Sequence, residues 1–172
     1  MTPVLRKSLL TAHITFSIGW MGAVAGFLAL SIAGLRSHDP STVRGAYLMM
    51  KLVVWSVIVP FALASLLTGI VQSLGTSWGL LRHYWVSAKL VLTVFATIVL
   101  LQKTKTIGSM ANAAANMTLS GVDLLKPRTA LVVHAGGGLL VLLVITVLSV
   151  FKPWGLTHYG RQARLSDVNK TA

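Results

Sequence analysis

The sequence predicts an all-α integral membrane protein, a four-helix bundle running up-down-up-down, and three observations carry that prediction. Hydrophobic residues make up 55% of the chain against 10% charged ones, with a mean hydropathy of +0.78, whereas soluble domains carry about 25% charged residues. Four apolar stretches each reach the roughly 20 residues that a helix needs to cross about 30 Å of hydrocarbon. The connections between the first three stretches are short, and a short connection sets successive helices side by side and antiparallel. In a chain of 172 residues little is left for a water-soluble domain, so residues 1–172 are expected to form a single transmembrane domain.

The first helix is expected at about 3–35, opened by Thr2 and Pro3, with proline at the first helical position. Arg6 and Lys7 ahead of an apolar run, with "AVAG" beyond, resemble a signal peptide. At roughly 28 apolar residues the run is too long for one, and a retained helix is expected. The second helix, about 40–73, starts at Asp39 and Pro40; Pro60 falls midway and is expected to kink it and free a carbonyl near the bilayer centre. The third is expected at about 78–104, followed by a longer Ala/Asn/Ser-rich loop with a short surface helix within 106–124. The fourth, about 127–152, opens at Pro127 and is stopped by Lys152 and Pro153.

This topology puts the N-terminus, the 73–83 loop and the C-terminus on one side, here side A, and the other two loops on side B. Lys and Arg divide eight to side A and seven to side B, which sets no orientation by the positive-inside rule. Trp78, Tyr84, Trp85, Trp154 and Tyr159 gather on side A. The net charge of +12 comes from residues at helix ends and in loops, the pattern of headgroup anchors and not of a nucleic-acid patch. Absence of cysteine excludes disulfides, thiolate metal sites and cysteine nucleophiles.

Ionisable side chains at membrane depth are costly and are functional candidates by default. His13 lies about two turns into the first helix, Lys89 one to two turns into the third and His134 about two turns into the fourth. His83 sits at the aqueous mouth of the third helix, and His38 and His158 fall in solvated positions. His13, Ser17, Trp20, Val24 and Phe27 share one helical face, while Gly19, Gly22 and Gly26 share the opposite one. The Gly22-x-x-x-Gly26 pair is expected to pack tightly and to favour a homodimer. In "HAGGG", His134 shares a face with Gly138, and the glycines either make room for a flat cofactor or serve close helix packing. Lys89, Thr93 and Thr97 on the third helix, and Ser65, Thr68 and Gln72 on the second, form polar stripes that make the side A half the polar half.

Neutral imidazole is a common axial ligand of haem iron, and four-helix bundles house cofactors between facing helices. His13, His83 and His134 are therefore the candidate metal ligands. His13 and His134 differ in height by about half the bilayer, too far to share one iron. His13 with His83 or Lys89 forms a side A set, which leaves His134 for a separate site or for packing. Each also has a purely structural alternative: Lys89 can snorkel to the headgroups, and His13 can rest on a carbonyl or on Ser17. Copper through histidine with Met21, Met49 or Met50 is an alternative, although those methionines lie at different depths. The three carboxylates, Asp39, Asp123 and Asp167, fall in loops or tail, which argues against a hard-cation site or a carboxylate proton relay.

"AHITFSIGWMG", with His13, Trp20 and Gly22 as His-x6-Trp-x-Gly, resembles the first helix of small bacterial membrane proteins that include HemJ-type protoporphyrinogen oxidases and CopD-type copper-resistance domains. "LLTG" at 66–69, "HYWVSAKLVLTV" at 83–94 and "VFKPW" at 150–154 extend the likeness to all four helices. The resemblance implies haem b and a bacterial plasma membrane, with His13 and Lys89 in the places of the histidine and lysine important to HemJ-type activity. His134 and its glycine run stand outside the shared pattern. The leading expectation is a haem-b protein in redox chemistry, exchanging electrons with a carrier such as quinone or oxidising a porphyrin-like substrate. His13 would ligate iron, Trp20 pack on the porphyrin, Ser17, His83, His134 and Gly138 help bind it, and Lys89 hold a propionate or substrate anion. Two other classes compete: a CopD-like copper or small-solute transport component, and a non-catalytic membrane scaffold.

Overall fold

The computed structural model describes residues 2–75, 80, 82–116, 125–153, 155–158 and 160–162. They form four long helices, α1 Pro3–Arg36, α2 Pro40–Leu74, α3 Tyr84–Ala115 and α4 Leu125–Phe151, all apolar and long enough to cross a bilayer. Trp78, Trp154, Tyr159, Asp123, Asp167 and residues 117–124 lie outside the described residues. α1 packs against α2 and α4, and α3 packs against the same two, so the helices form a four-cornered ring with α1 and α3 on one diagonal.

Local chemistry sets the helix ends. The Thr2 side chain accepts from Leu5 N–H at 3.4 Å ahead of Pro3. At α2 the Asp39 carboxylate accepts from the N–H groups of Ser41 and Thr42 at 3.3 and 2.9 Å and from both hydroxyls at 2.6 Å, satisfying donors that a helix start leaves orphaned. These bonds hold the Asp39 carboxyl far below the usual carboxylate range. α4 ends at Phe151, where Lys152 takes a left-handed φ of 45° and Pro153 bars continuation. Beyond it the chain docks onto the start of α3, with Thr157 N–H donating to Arg82 O at 3.0 Å and a β-bridge joining His83 and Leu156.

Pro60 is accommodated by a π-helical turn at Val54–Ile58, where Val59 N–H reaches back to Val54 O. Widening the turn by one residue just before proline absorbs the interruption of the hydrogen-bond ladder.

α3 differs most from the expected 78–104. It begins at Tyr84 and continues without a break to Ala115, so residues 106–115 are not a separate surface helix within a loop. Ile107, Met110, Ala111 and Ala114 follow at i, i+3, i+4 and i+7 and are buried, and Ile107, Met110 and Ala114 join one core cluster with Val43, Tyr47 and Met50 of α2. The polar residues of this stretch face outward: Lys105, Ser109 and Asn112 are exposed.

Exposed large apolar residues stop at Leu101 on α3 and begin at Met49 on α2. Beyond those points the exposed side chains of both helices are polar or small. From Tyr84 to Lys103 the rise is about 28 Å, one hydrocarbon thickness, and the rest of α3 extends about 18 Å further on side B. The third span thus ends at the lipid boundary while its helix does not. On the outer face of α1, a Cβ at Gly22 or Gly26 would meet nothing within 4 Å. The tight packing expected of that pair is absent within the chain; Gly19 supplies it instead, pressed against the Phe61 ring.

Candidate cofactor site

Inside the ring, a cavity of about 380 Å³ lies between the helices in the side B half of the membrane. Trp20, Val24 and Phe27 of α1 line it, all from the face that also carries His13. α2 contributes Val54 and Ile58, one at each end of the π turn. α3 lines it through Ala96, Val99, Leu100, Lys103 and Ile107, a helical stripe, and α4 through His134, Gly137 and Gly138 among others. Among the described residues the walls are apolar and aromatic, with His134 and Lys103 as the ionisable groups and no carboxylate. Such a cavity, apolar with few polar groups, is the usual form of a small-molecule site, which spans about 300–1,000 Å³.

The glycines of "HAGGG" have a defined part here. A Cβ placed on Gly136, Gly137 or Gly138 would meet nothing within 4 Å. Of the two readings open from sequence, close helix packing is therefore not realised among the described residues of the chain, and the missing side chains leave space beside the imidazole. His134 Nδ1 donates to Ala130 O at 2.6 Å. A carbonyl acceptor puts the proton on Nδ1 and leaves Nε2 with its lone pair, the tautomer of a metal-ligating or hydrogen-bond-accepting histidine.

His13 is elsewhere. Its Nδ1 lies 3.1 Å from Ser65 O and 3.2 Å from Thr68 Oγ1; the Thr68 hydroxyl itself points to Ala64 O at 2.6 Å, so both acceptors share the Nδ1 proton. The ring rests on Gly69, where a Cβ would come to 3.0 Å from Cε1. Ser17 Oγ and Ser65 Oγ are 2.8 Å apart in the same α1–α2 seam. Neither His13 nor Ser17 lines the cavity that holds Trp20, so helical periodicity puts the two on one face while helix packing gives them different neighbours.

Lys89 closes the side A end of the α3–α4 seam. Its Nζ donates to Ser149 Oγ at 3.2 Å and stands 4.7 Å from the centroid of the Trp85 ring, a cation–π contact that offsets part of its desolvation. His83 is the residue before α3, with its ring 6.2 Å from that of Trp85. Among the described residues no three His, Asp or Glu side chains gather as a metal cluster. His13, His83 and His134 thus occupy three separate settings.

Of the sequence candidates, the cavity brings together His134, Gly138 and Trp20; His13 and Ser17 form the α1–α2 polar seam; and Lys89 belongs to the α3–α4 seam. Lys103 was not singled out, because a lysine near the end of an apolar run reads as a headgroup anchor. Its signal was the register with Ala96, Val99 and Leu100, which puts it on the inner face. Comparison of the chain with protein families, characterised proteins and solved structures gives no match.

Proposed function

We propose that this chain is a haem-b-binding protein of a bacterial plasma membrane with a redox role, exchanging electrons with a membrane carrier such as a quinone or oxidising a porphyrin-like substrate. Its haem belongs in the cavity between α3 and α4, with His134 as the iron ligand. The observation that carries this reading is one cavity holding an imidazole with an uncommitted Nε2, a lysine, and a bare glycine surface within aromatic and aliphatic walls. The likeness to HemJ-type sequences supports haem as the occupant, whereas the seat of His13 against Gly69, Ser65 and Thr68 favours a structural part for the residue that the likeness would make the ligand.

Haem b supplies one-electron chemistry when bound. The chain's residues do the rest. The Ala130 carbonyl orients the His134 ring and raises its basicity as a ligand. Gly137 and Gly138 admit a flat ring edge, Trp20 and Phe27 offer it aromatic faces, and the apolar walls keep water away.

The test is the absorption spectrum of the purified protein, with a pyridine haemochrome assay for content. A Soret band is expected in wild type and in His13→Ala, and its loss in His134→Ala. A colourless preparation from haem-replete cells that takes up no added haemin defeats the haem reading. Loss of haem in His13→Ala with retention in His134→Ala overturns the placement.

A further inference from the structure

We infer that the cavity takes its ligand sideways from the side B leaflet, and that Lys103 is the anchor for a carboxylate on that ligand's outer edge. This deepens the proposed function and rests on the cavity being the cofactor's seat. The ligand class is a flat, bilayer-soluble ring bearing carboxylate at one edge and hydrocarbon at the other.

Access comes first. Phe95 on α3 is 58% exposed and Val133 on α4 is 64% exposed, yet both line the cavity. His134 and Gly137, also lining it, are exposed as well. A cavity whose wall residues are exposed on two adjacent helices is open between them. These positions fall within the apolar belt, so the opening faces acyl chains and not water. At the side A end, the Lys89–Ser149 hydrogen bond ties α3 to α4, and no glycine of α4 from 136 to 138 meets a neighbour on the side B half.

Orientation follows from charge. Lys103 is half-buried on the inner stripe of α3, while Lys105 is exposed, as a headgroup anchor should be. Lys103 comes two residues after Leu101, the last exposed large apolar residue of α3, so its ammonium stands at the lipid–water boundary. No carboxylate among the described residues lines the cavity. Asp39, the one acid among the described residues, is committed to Ser41 and Thr42. An ammonium at the rim of an apolar cavity, with no carboxylate beside it among the described residues, is complementary to an anion carried by the ligand. The far end, at Val141 and Leu142, suits hydrocarbon. In the haem reading, Lys103 would hold a propionate of the haem.

The experiment titrates the apo-protein in detergent with haemin and with haemin dimethyl ester, which lacks free carboxylates, and follows the Soret band. Wild type is expected to prefer haemin by roughly ten- to a hundredfold, the effect of a charge-assisted hydrogen bond. Lys103→Gln should bring haemin down to the affinity of the diester without changing the diester, and Lys103→Arg should restore the preference. Equal binding of both by wild type, or haemin binding unmoved in Lys103→Gln, overturns the Lys103 assignment while leaving haem binding intact. If wild type binds neither porphyrin, the haem reading falls, and the fluorescent flat-ring acid 1-pyrenebutyric acid against its methyl ester decides the anchor: a preference for the acid that Lys103→Gln removes supports it, and no preference overturns it.

Discussion

Replacing Gly136, Gly137 and Gly138 together by alanine should make the protein more stable and a poorer binder. All three lie inside α4, and glycine in a helix interior costs about 0.8–1.0 kcal/mol relative to alanine. None of the three added methyls would meet an atom within 4 Å, so no packing penalty offsets the gain. The expected stabilisation is about 2–3 kcal/mol, summed from that propensity, read as a shift in the unfolding midpoint in mild detergent. Gly137 and Gly138 line the cavity and Gly136 does not, which supplies an internal control. Gly136→Ala alone should stabilise without touching ligand affinity, whereas Gly137→Ala with Gly138→Ala should weaken haemin binding. Had the glycines served close approach of a neighbouring helix, the methyls would clash and the midpoint would fall. A destabilised triple variant that binds haemin normally would falsify the idea that these glycines make room.

Further expectations concern the rest of the fold. Met110→Ala should cost about 2–5 kcal/mol, as large-to-small changes in packed cores do, because Met110 is 2% exposed; Ser109→Ala next to it should stay within about 0.5 kcal/mol. Equal effects by thermal unfolding would mean that residues 104–115 are not a packed continuation of α3. Ser65→Ala removes the Ser17 hydroxyl's partner and should cost about 0.5–1.5 kcal/mol with haem content unchanged, since neither serine lines the cavity; a drop in haemochrome yield contradicts that separation. The Asp39 carboxyl has a folded pKa depressed from 3.8, so its stabilisation of the α2 start is fully present above that value and drains away as pH falls below it through the folded pKa. Asp39→Asn, which still caps, should flatten the acid limb of the stability–pH curve while keeping most of the neutral-pH stability, and an unchanged acid limb refutes the assignment.

Much of this was legible in the residues alone, because a bilayer imposes requirements that are local in the chain. Hydrocarbon accepts a backbone only when its polar groups bond internally, so four long apolar runs had to be four helices, and Thr2-Pro3 and Asp39-Pro40 marked two starts because capping needs only neighbours. Depth was legible too, through rise per residue: His13 near side A, His134 near side B. Hydropathy, however, reports where lipid ends and not where a helix ends. The continuation of α3 to Ala115 was written instead in the spacing of Ile107, Met110, Ala111 and Ala114, which a polar composition concealed.

What the chain could not declare were distances between elements. Periodicity put His13 and Trp20 on one face, yet only the packing of α2 against α1 turned the first toward Ser65 and Gly69 and left the second to line a cavity. The same holds for the glycines of α4, identical in sequence whether a helix presses on them or open space lies beside them. Lys103 changes from headgroup anchor to cavity wall by virtue of what stands opposite. Covalent neighbours and the solvent determine which segments become helices; the gap left between two helices is a property of all the side chains that hold them apart, and it exists only once the bundle has assembled.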